Sequence, residues 1–207
     1  MVSSESYFTY SRPLISYLLC GETDMQRIKY RSDNFYEENK AVLLSGRTAK
    51  KIDADIKCVY LDNGEKIEYQ KLLYAAGSKP FIPPIAGLEQ VEKKFTFMSL
   101  DDALALEQAV NNQTRVLIMG AGLIGLKCAE GLYGRAGSIT VVDLADRVLP
   151  SILDEQSASI MLEHLKAKGI NVRLNAGVKA FTSEGADIGS EIIPFDVLVV
   201  AVGVRPN

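Results

Sequence analysis

The clearest hydrophobic periodicity lies in the second half of the chain. Arg115–Met119 and Ser138–Val142 are short apolar runs rich in β-branched residues, and they predict buried strands. Across residues 154–168, Ala158, Met161, Leu162 and Leu165 recur at i, i+3, i+4 and i+7. That spacing predicts an amphipathic helix, which Gly169 terminates. Ser99 and Asp102 have capping-box spacing, with Asp in place of Glu, and open a helix carrying Leu104, Ala105 and Gln108 on successive turns. A further helix is expected from the glycine-rich stretch at 120–125 to about Tyr133, with strands at 170–174, 178–182, 191–193 and 196–201. Alternating strands and helices imply an α/β fold whose mainly parallel sheet is covered on both faces.

The first half is less regular. Pro13 can open a helix that carries Leu14, Leu18 and Leu19 and that Gly21 closes. Residues 32–39 predict a second short helix, and 41–45, 47–54 and 56–61 predict strands. Asn63-Gly64 predicts a hairpin turn, because both positions tolerate positive φ. Residues 72–75 read as a buried strand running into Gly77. The next segment, with Pro80, Pro83 and Pro84, is expected to be a connection outside any ladder. The change of rhythm divides the chain into residues 1–97 and 98–207.

Composition narrows the function classes. The 207 residues carry 23 Lys+Arg and 26 Asp+Glu, a net charge of −3, and no basic stretch stands out, so no nucleic-acid partner is expected. With 47% hydrophobic and 24% charged residues the chain reads as globular. The apolar run at 197–204 is far short of the roughly 20 residues a membrane helix needs. One histidine, His164, leaves no multi-histidine metal site and no triad needing a second one. Cys20, Cys58 and Cys128 form no CxxC pair, so neither a zinc ribbon nor a local redox disulfide is expected, and each reads as a small buried hydrophobe. No charged-then-apolar leader follows Met1, and a cytoplasmic location is expected.

The informative segment is Gly120-Ala121-Gly122-Leu123-Ile124-Gly125, directly after the strand at 115–119 and at the start of a helix. GxGxxG alone is a weak signal; in this place it has a mechanism. Gly120 allows the tight turn, Gly122 lets backbone approach a pyrophosphate, and Gly125 lets helix pack closely on sheet. The helix N-terminus offers free N–H groups and the positive end of its dipole. Asp143 lies 18 residues after Gly125, at the end of the next strand. An acid there accepts hydrogen bonds from an adenosine ribose and repels a 2′-phosphate, favouring NAD(H); the bland reading is a structural strand-end Asp.

At this point the chain resembles the flavin-dependent pyridine nucleotide–disulfide oxidoreductase superfamily, in its branch of NADH oxidases and rubredoxin or ferredoxin reductases. The resemblance rests on residues 69–87 (YQKLLYAAGSKPFIPPIAG), on the loop at 120–130, and on residues 195–207 (FDVLVVAVGVRPN). It implies a Rossmann-like NAD-binding domain at 98–207 and part of an FAD-binding-type domain at 1–97. It also implies that the chain lacks the first FAD glycine loop and the C-terminal FAD and interface segments. Ala121, Leu123 and Ile124 join the three loop glycines, Asp143 and Gly203 as the implied NAD contacts. Tyr10-Ser11-Arg12-Pro13 is similar to the Lys/Arg-Pro pair near the isoalloxazine in such reductases, so Arg12 and Pro13 become FAD candidates. Glu5, Ala49, Ala75, Ala76 and Gly77 are the other implied FAD contacts. Lys127 departs from the pattern, since many relatives carry Glu there to orient the nicotinamide.

The activity implied is hydride transfer from NADH to FAD, with electrons passing to a rubredoxin- or ferredoxin-like partner or to oxygen. No side chain is required as nucleophile or base. Two alternatives stand: an NADH oxidase or peroxidase using Cys20, and a non-catalytic NADH-binding module. Self-association through an apolar face is also expected.

Overall fold

A computed structural model describes residues 1–207. Packing divides the chain into two units, residues 1–11 with 25–76, and residues 12–24 with 77–207. This boundary differs from a division at 97/98, because residues 12–24 and 77–97 pack with the second unit.

The first unit holds a parallel pair, Val2–Ser3 beside Leu44–Ser45, and a three-stranded antiparallel sheet of Ala49–Asp53, Cys58–Leu61 and Lys66–Glu68. Gly64, at φ +86°, turns the hairpin that Asn63-Gly64 predicts. The helix expected over 32–39 shortens to Phe35–Glu38, and only the last two residues of 41–45 are strand. Residues 72–75 form no strand, contrary to expectation. Leu72, Leu73 and Tyr74 stand exposed, Leu73 at 88%.

In the second unit, helix α1 is Ile15–Cys20, preceded by a 3-10 turn at Arg12–Leu14 and closed by Gly21 at φ +81°. Strand β1 (Ser78–Pro80) pairs antiparallel with a strand at Val204–Pro206, so the proline segment is not purely a connection. Proline is tolerated there because β1 is half of a two-stranded ribbon, whose outer edge needs no N–H donor.

The rest runs strand β2 (Lys94–Phe95), helix α2 (Leu100–Ala109), β3 (Arg115–Met119), α3 (Leu123–Leu132), β4 (Ser138–Val142), α4 (Glu155–Ala167) and β5 (Asn171–Arg173). An antiparallel trio follows, β6 (Ala180–Thr182), β7 (Gly185–Asp187) and β8 (Ile192–Ile193), then β9 (Val197–Val200). The pattern reading missed β7. Strands in the order β5-β4-β3-β9-β2 make one sheet, parallel throughout. The expected capping box at Ser99 is present, its Oγ accepting from Asp102 N at 3.2 Å. The buried face of α2 is Leu100, Ala103 and Leu106, whereas Gln108 is exposed. The cap fixes the helix phase, and that phase turns Gln108 outward.

Alternation places Leu117, Met119, Leu198 and Val200 on one sheet face, in a cluster with Phe181, Ala186 and Ile193 of the antiparallel trio. Helix α3 packs against β3 and β4, and α1 packs on α2 and α3. Gly131 of α3 lets α1 approach, since a Cβ there would press on Ser16 O and the Leu19 side chain. No helix is long and apolar enough to cross a membrane.

Candidate functional site

Strand β3 has β4 on one side and β9 on the other, so the chain reverses its order of winding at β3. In open α/β sheets ligands bind outside the carboxyl ends of strands at such a point. A cleft of about 1020 Å³ opens there, reached by Gly120 and Gly122 after β3, Asp143 after β4, Asn175 beyond β5 and Gly203 beyond β9.

The glycines play separate parts. Gly120 has φ +112°, and a Cβ on it would collide with Ala201 O of the neighbouring chain segment. Gly125 sits in the first turn of α3, buried, and a Cβ there would collide with Gly120 O. Gly122, the N-cap of α3, has no heavy atom within 4 Å of its would-be Cβ. Gly122 itself lines the cleft. A side chain would fill the space that a diphosphate needs to reach the unpaired N–H groups of the helix's first turn. The residues present therefore fit a dinucleotide.

Loop and acid are joined. Gly120 N–H donates to Val142 O at 2.8 Å, and Ala121 N–H donates to Asp143 Oδ2 at 2.5 Å. The second oxygen, Oδ1, accepts from Ala145 N–H at 2.8 Å. Ala121 is fully buried, Ile124 half-buried, and Leu123 lies 58% exposed at the cleft. Gly203, at φ +128°, borders the cleft, and its carbonyl accepts from Phe81 N–H at 2.9 Å. Six residues of the implied NAD set, Gly120, Gly122, Leu123, Ile124, Asp143 and Gly203, thus line one opening, and Ala121 and Gly125 lie buried in the same loop and helix turn. Residues beyond that set complete it: Leu149 N–H donates to Ala121 O at 2.9 Å, and Lys179 reaches the cleft wall. Leu149 has φ +50°, which its sequence does not signal, because a residue before proline is ordinarily pushed toward extended backbone.

The implied FAD set is not brought together within either unit. Glu5, Ala49, Ala75 and Ala76 belong to the first unit and Arg12, Pro13 and Gly77 to the second. Glu5 follows the first strand and its carbonyl accepts from Gly46 N–H at 3.0 Å. Ala49 opens a hairpin strand opposite Leu61, while Ala75 and Ala76 are exposed in irregular chain. The Arg12 guanidinium donates to Met98 O at 2.6 Å, Pro13 lies in the 3-10 turn, and Gly77 O accepts from Asn207 N–H at 3.1 Å.

A smaller cleft, about 510 Å³, lies among α1, α3 and α4. There Lys127 sits 4.3 Å from the Tyr17 ring centroid and pairs with Glu130. Cys20 borders it, half-buried, its thiol donating to Tyr17 O at 3.4 Å. Cys58 and Cys128 are buried, and burial, with Asp102 adding to it, pushes the Cys128 thiol far above the ordinary range. His164 is exposed on α4.

Known proteins share this architecture. The chain is 29% identical over 212 residues to the epsilon subunit of an NADH-dependent phenylglyoxylate dehydrogenase from Aromatoleum evansii, matching all of the chain and 50% of that protein. It is 26% identical over 207 residues to an NADH-rubredoxin oxidoreductase from Clostridium acetobutylicum, matching all of the chain and 52% of that protein. The structure of an NAD-dependent persulfide reductase from A. fulgidus superposes with a TM-score of 0.88 at 29% identity, over all of this chain and 40% of that one. The chain spans between about a quarter and a half of the length of the curated relatives it matches. The family model for pyridine nucleotide-disulphide oxidoreductases matches residues 1–207, and the chain belongs to that family.

Proposed function

We propose that the cleft at Gly122 binds NADH and that the protein as a whole is an NADH-dependent flavin oxidoreductase serving a small rubredoxin- or ferredoxin-like acceptor. The observation that carries the reading is the loop itself: collisions exclude side chains at Gly120 and Gly125, while open space awaits a ligand at Gly122. In this reading the diphosphate sits against the first turn of α3, Asp143 faces the adenosine ribose, and the chain from Leu123 toward Gly203 orients the nicotinamide end. FAD, when bound, would supply the hydride-accepting chemistry. This chain's own residues bind and orient; none acts as acid, base or nucleophile. The acceptor class is supported by the NADH-rubredoxin oxidoreductase relative.

Arg12, Pro13 and Gly77, with Glu5, Ala49, Ala75 and Ala76, are proposed to meet FAD in the whole protein. The purified 207-residue chain is expected to be colourless and to associate with itself through the exposed Leu72, Leu73 and Tyr74.

Fluorescence titration with NADH tests the binding claim, with visible absorbance and solution mass recorded on the same sample. Saturable one-to-one NADH binding by a colourless protein is the expected result. Absence of saturable NADH binding overturns the cleft assignment, and a yellow protein with stoichiometric FAD overturns the account of the flavin set.

A further inference from the structure

Asp143 makes two backbone contacts that a purely ribose-facing acid does not need. Its Oδ2 accepts from Ala121 N–H at 2.5 Å and its Oδ1 from Ala145 N–H at 2.8 Å. Ala121 is gripped a second time through its carbonyl, which accepts from Leu149 N–H at 2.9 Å. One buried residue of the glycine loop is therefore held, at both its N–H and its C=O, by the segment 143–149. That segment is itself anchored: Ala176 N–H donates to Asp143 O at 2.8 Å and Asn175 N–H to Ala145 O at 2.9 Å. Leu149 occupies the left-handed region at φ +50°, where a leucine seldom sits. It is kept there by burial of its side chain and by two N–H groups, of Ile152 and Leu153, that converge on its carbonyl.

We infer that Asp143 is a positioning residue for the glycine loop, fixing Ala121 before any nucleotide arrives. The inference rests on the NADH reading above for its consequence and on the tie alone for its substance. A carboxylate suits the task because both of its oxygens accept. An asparagine offers one oxygen and one NH₂, so one of the two backbone N–H groups would face a donor. Loss of the tie loosens the first turn of α3, and the diphosphate meets that turn whatever the ribose carries. Asp143 therefore contributes to affinity even for a dinucleotide without a 2′-hydroxyl.

The test combines amide hydrogen exchange of the nucleotide-free chain with titration of NADH and its 2′-deoxyadenosine analogue. In the unsubstituted chain the Ala121 amide is expected to be protected, while Gly122, Leu123 and Ile124, in a first helical turn without intrahelical acceptors, exchange freely. In Asp143→Asn, Ala121 exchange is expected to accelerate by about tenfold or more, the 2′-deoxy analogue to weaken by about tenfold, and NADH, which also loses a ribose contact, to weaken by at least as much. Burial alone would leave Ala121 protected in the variant, so unchanged exchange overturns the inference. So does a variant that weakens NADH and spares the deoxy analogue. If Asp143→Asn does not fold, an Ala121 amide as labile as Gly122 in the unsubstituted chain overturns it equally. Should neither dinucleotide bind the unsubstituted chain, the NADH reading fails and the exchange measurements still decide the tie.

Discussion

Arg115 and Asp196 join the amino-terminal ends of β3 and β9 through a four-bond clasp. Asp196 Oδ1 accepts from Arg115 Nη2 at 2.7 Å, and Oδ2 accepts from Nε at 3.1 Å and from the Arg115 backbone N–H at 2.8 Å. In return Asp196 N–H donates to Arg115 O at 2.9 Å. The clasp sits at the opposite end of these strands from the cleft, so its work is to hold register.

The Arg115 side chain and backbone N–H together draw the Asp196 carboxyl down to a pKa of about 2. In an unfolded chain an Asp titrates near 3.9. A depressed folded-state value means stabilisation that is complete above roughly pH 4 and is lost as pH falls toward 2. Both side chains are substantially exposed, 49% and 40%, so solvent screens the pair and the effect is modest. Asp196→Asn should lower Tm by a few degrees at neutral pH, and the gap should narrow progressively below about pH 4 as pH falls toward 2. A gap at pH 2.5 as large as the one at neutral pH would show that packing, not charge, is what the substitution removes.

Gly122 and Gly125 separate folding from binding. Gly125→Ala drives a Cβ into Gly120 O, a backbone atom that cannot step aside. A loss on the order of 1–3 kcal/mol of stability is expected, together with loss of NADH binding. Gly122→Ala meets nothing within 4 Å and keeps a negative φ of −80°, so Tm should stay within about a degree. Its methyl group nonetheless occupies the diphosphate's approach, and NADH affinity should fall about tenfold or more. Parallel melting curves and NADH titrations decide it; equal binding by Gly122→Ala and the unsubstituted chain would remove the loop from the site.

Where sequence and structure agree, the reason is local. Arg115–Met119 and Ser138–Val142 are strands with the bounds their apolar runs suggest, and Ser99 with Asp102 closes the cap their spacing implies. Gly120, Gly122 and Gly125 take three distinct roles because each depends on a missing Cβ, which the sequence states directly. The hidden features all depend on a distant partner. Residues 72–75 have a strand's composition yet form no strand, whereas Ser78–Pro80 has a poor composition and finds Val204–Pro206 more than a hundred residues away. The grip of Asp143 and Leu149 on Ala121 requires the 143–149 loop to fold back, and nothing in Leu149-Pro150 announces a positive φ.

Thiol chemistry should be confined to one residue. Cys58 and Cys128 are buried, and burial holds the Cys128 thiol in its neutral form far into alkaline pH. Cys20 is half-buried at the end of α1, at the rim of the smaller cleft. A maleimide at pH 7.5 should modify Cys20 rapidly in the folded chain and leave the other two untouched until denaturant is added. Peptide mass mapping checks this, and early labelling of Cys128 would show that α3 opens in the native state. Cys20→Ser should leave NADH affinity unchanged within about twofold, since the thiol donates to Tyr17 O and borders the smaller cleft, not the one lined by Gly120, Gly122 and Asp143.

Nucleotide choice follows from how firmly Asp143 is held. A free carboxylate could swing away from a 2′-phosphate; one tied to Ala121 and Ala145 stays where it is, and the two anions repel. The nearest basic residue in sequence, Arg147, is engaged with Asp146 at 3.1 Å. Leu144, next to the acid and bordering the cleft, is 81% exposed and supplies no cation. NADH should therefore bind at least several-fold more tightly than NADPH, and equal affinities would sink this account. Removing the acid is a poor way to reverse the preference, because Asp143→Asn also frees the loop: the ratio of the two affinities should approach one while both fall. Leu144→Arg adds the missing cation at a position with little packing to lose. It should improve NADPH binding about tenfold, leave Tm unchanged and alter NADH affinity by less than about twofold. If Leu144→Arg tightens NADH as much as NADPH, the added charge is acting on the diphosphate, and the ribose does not lie beside Asp143.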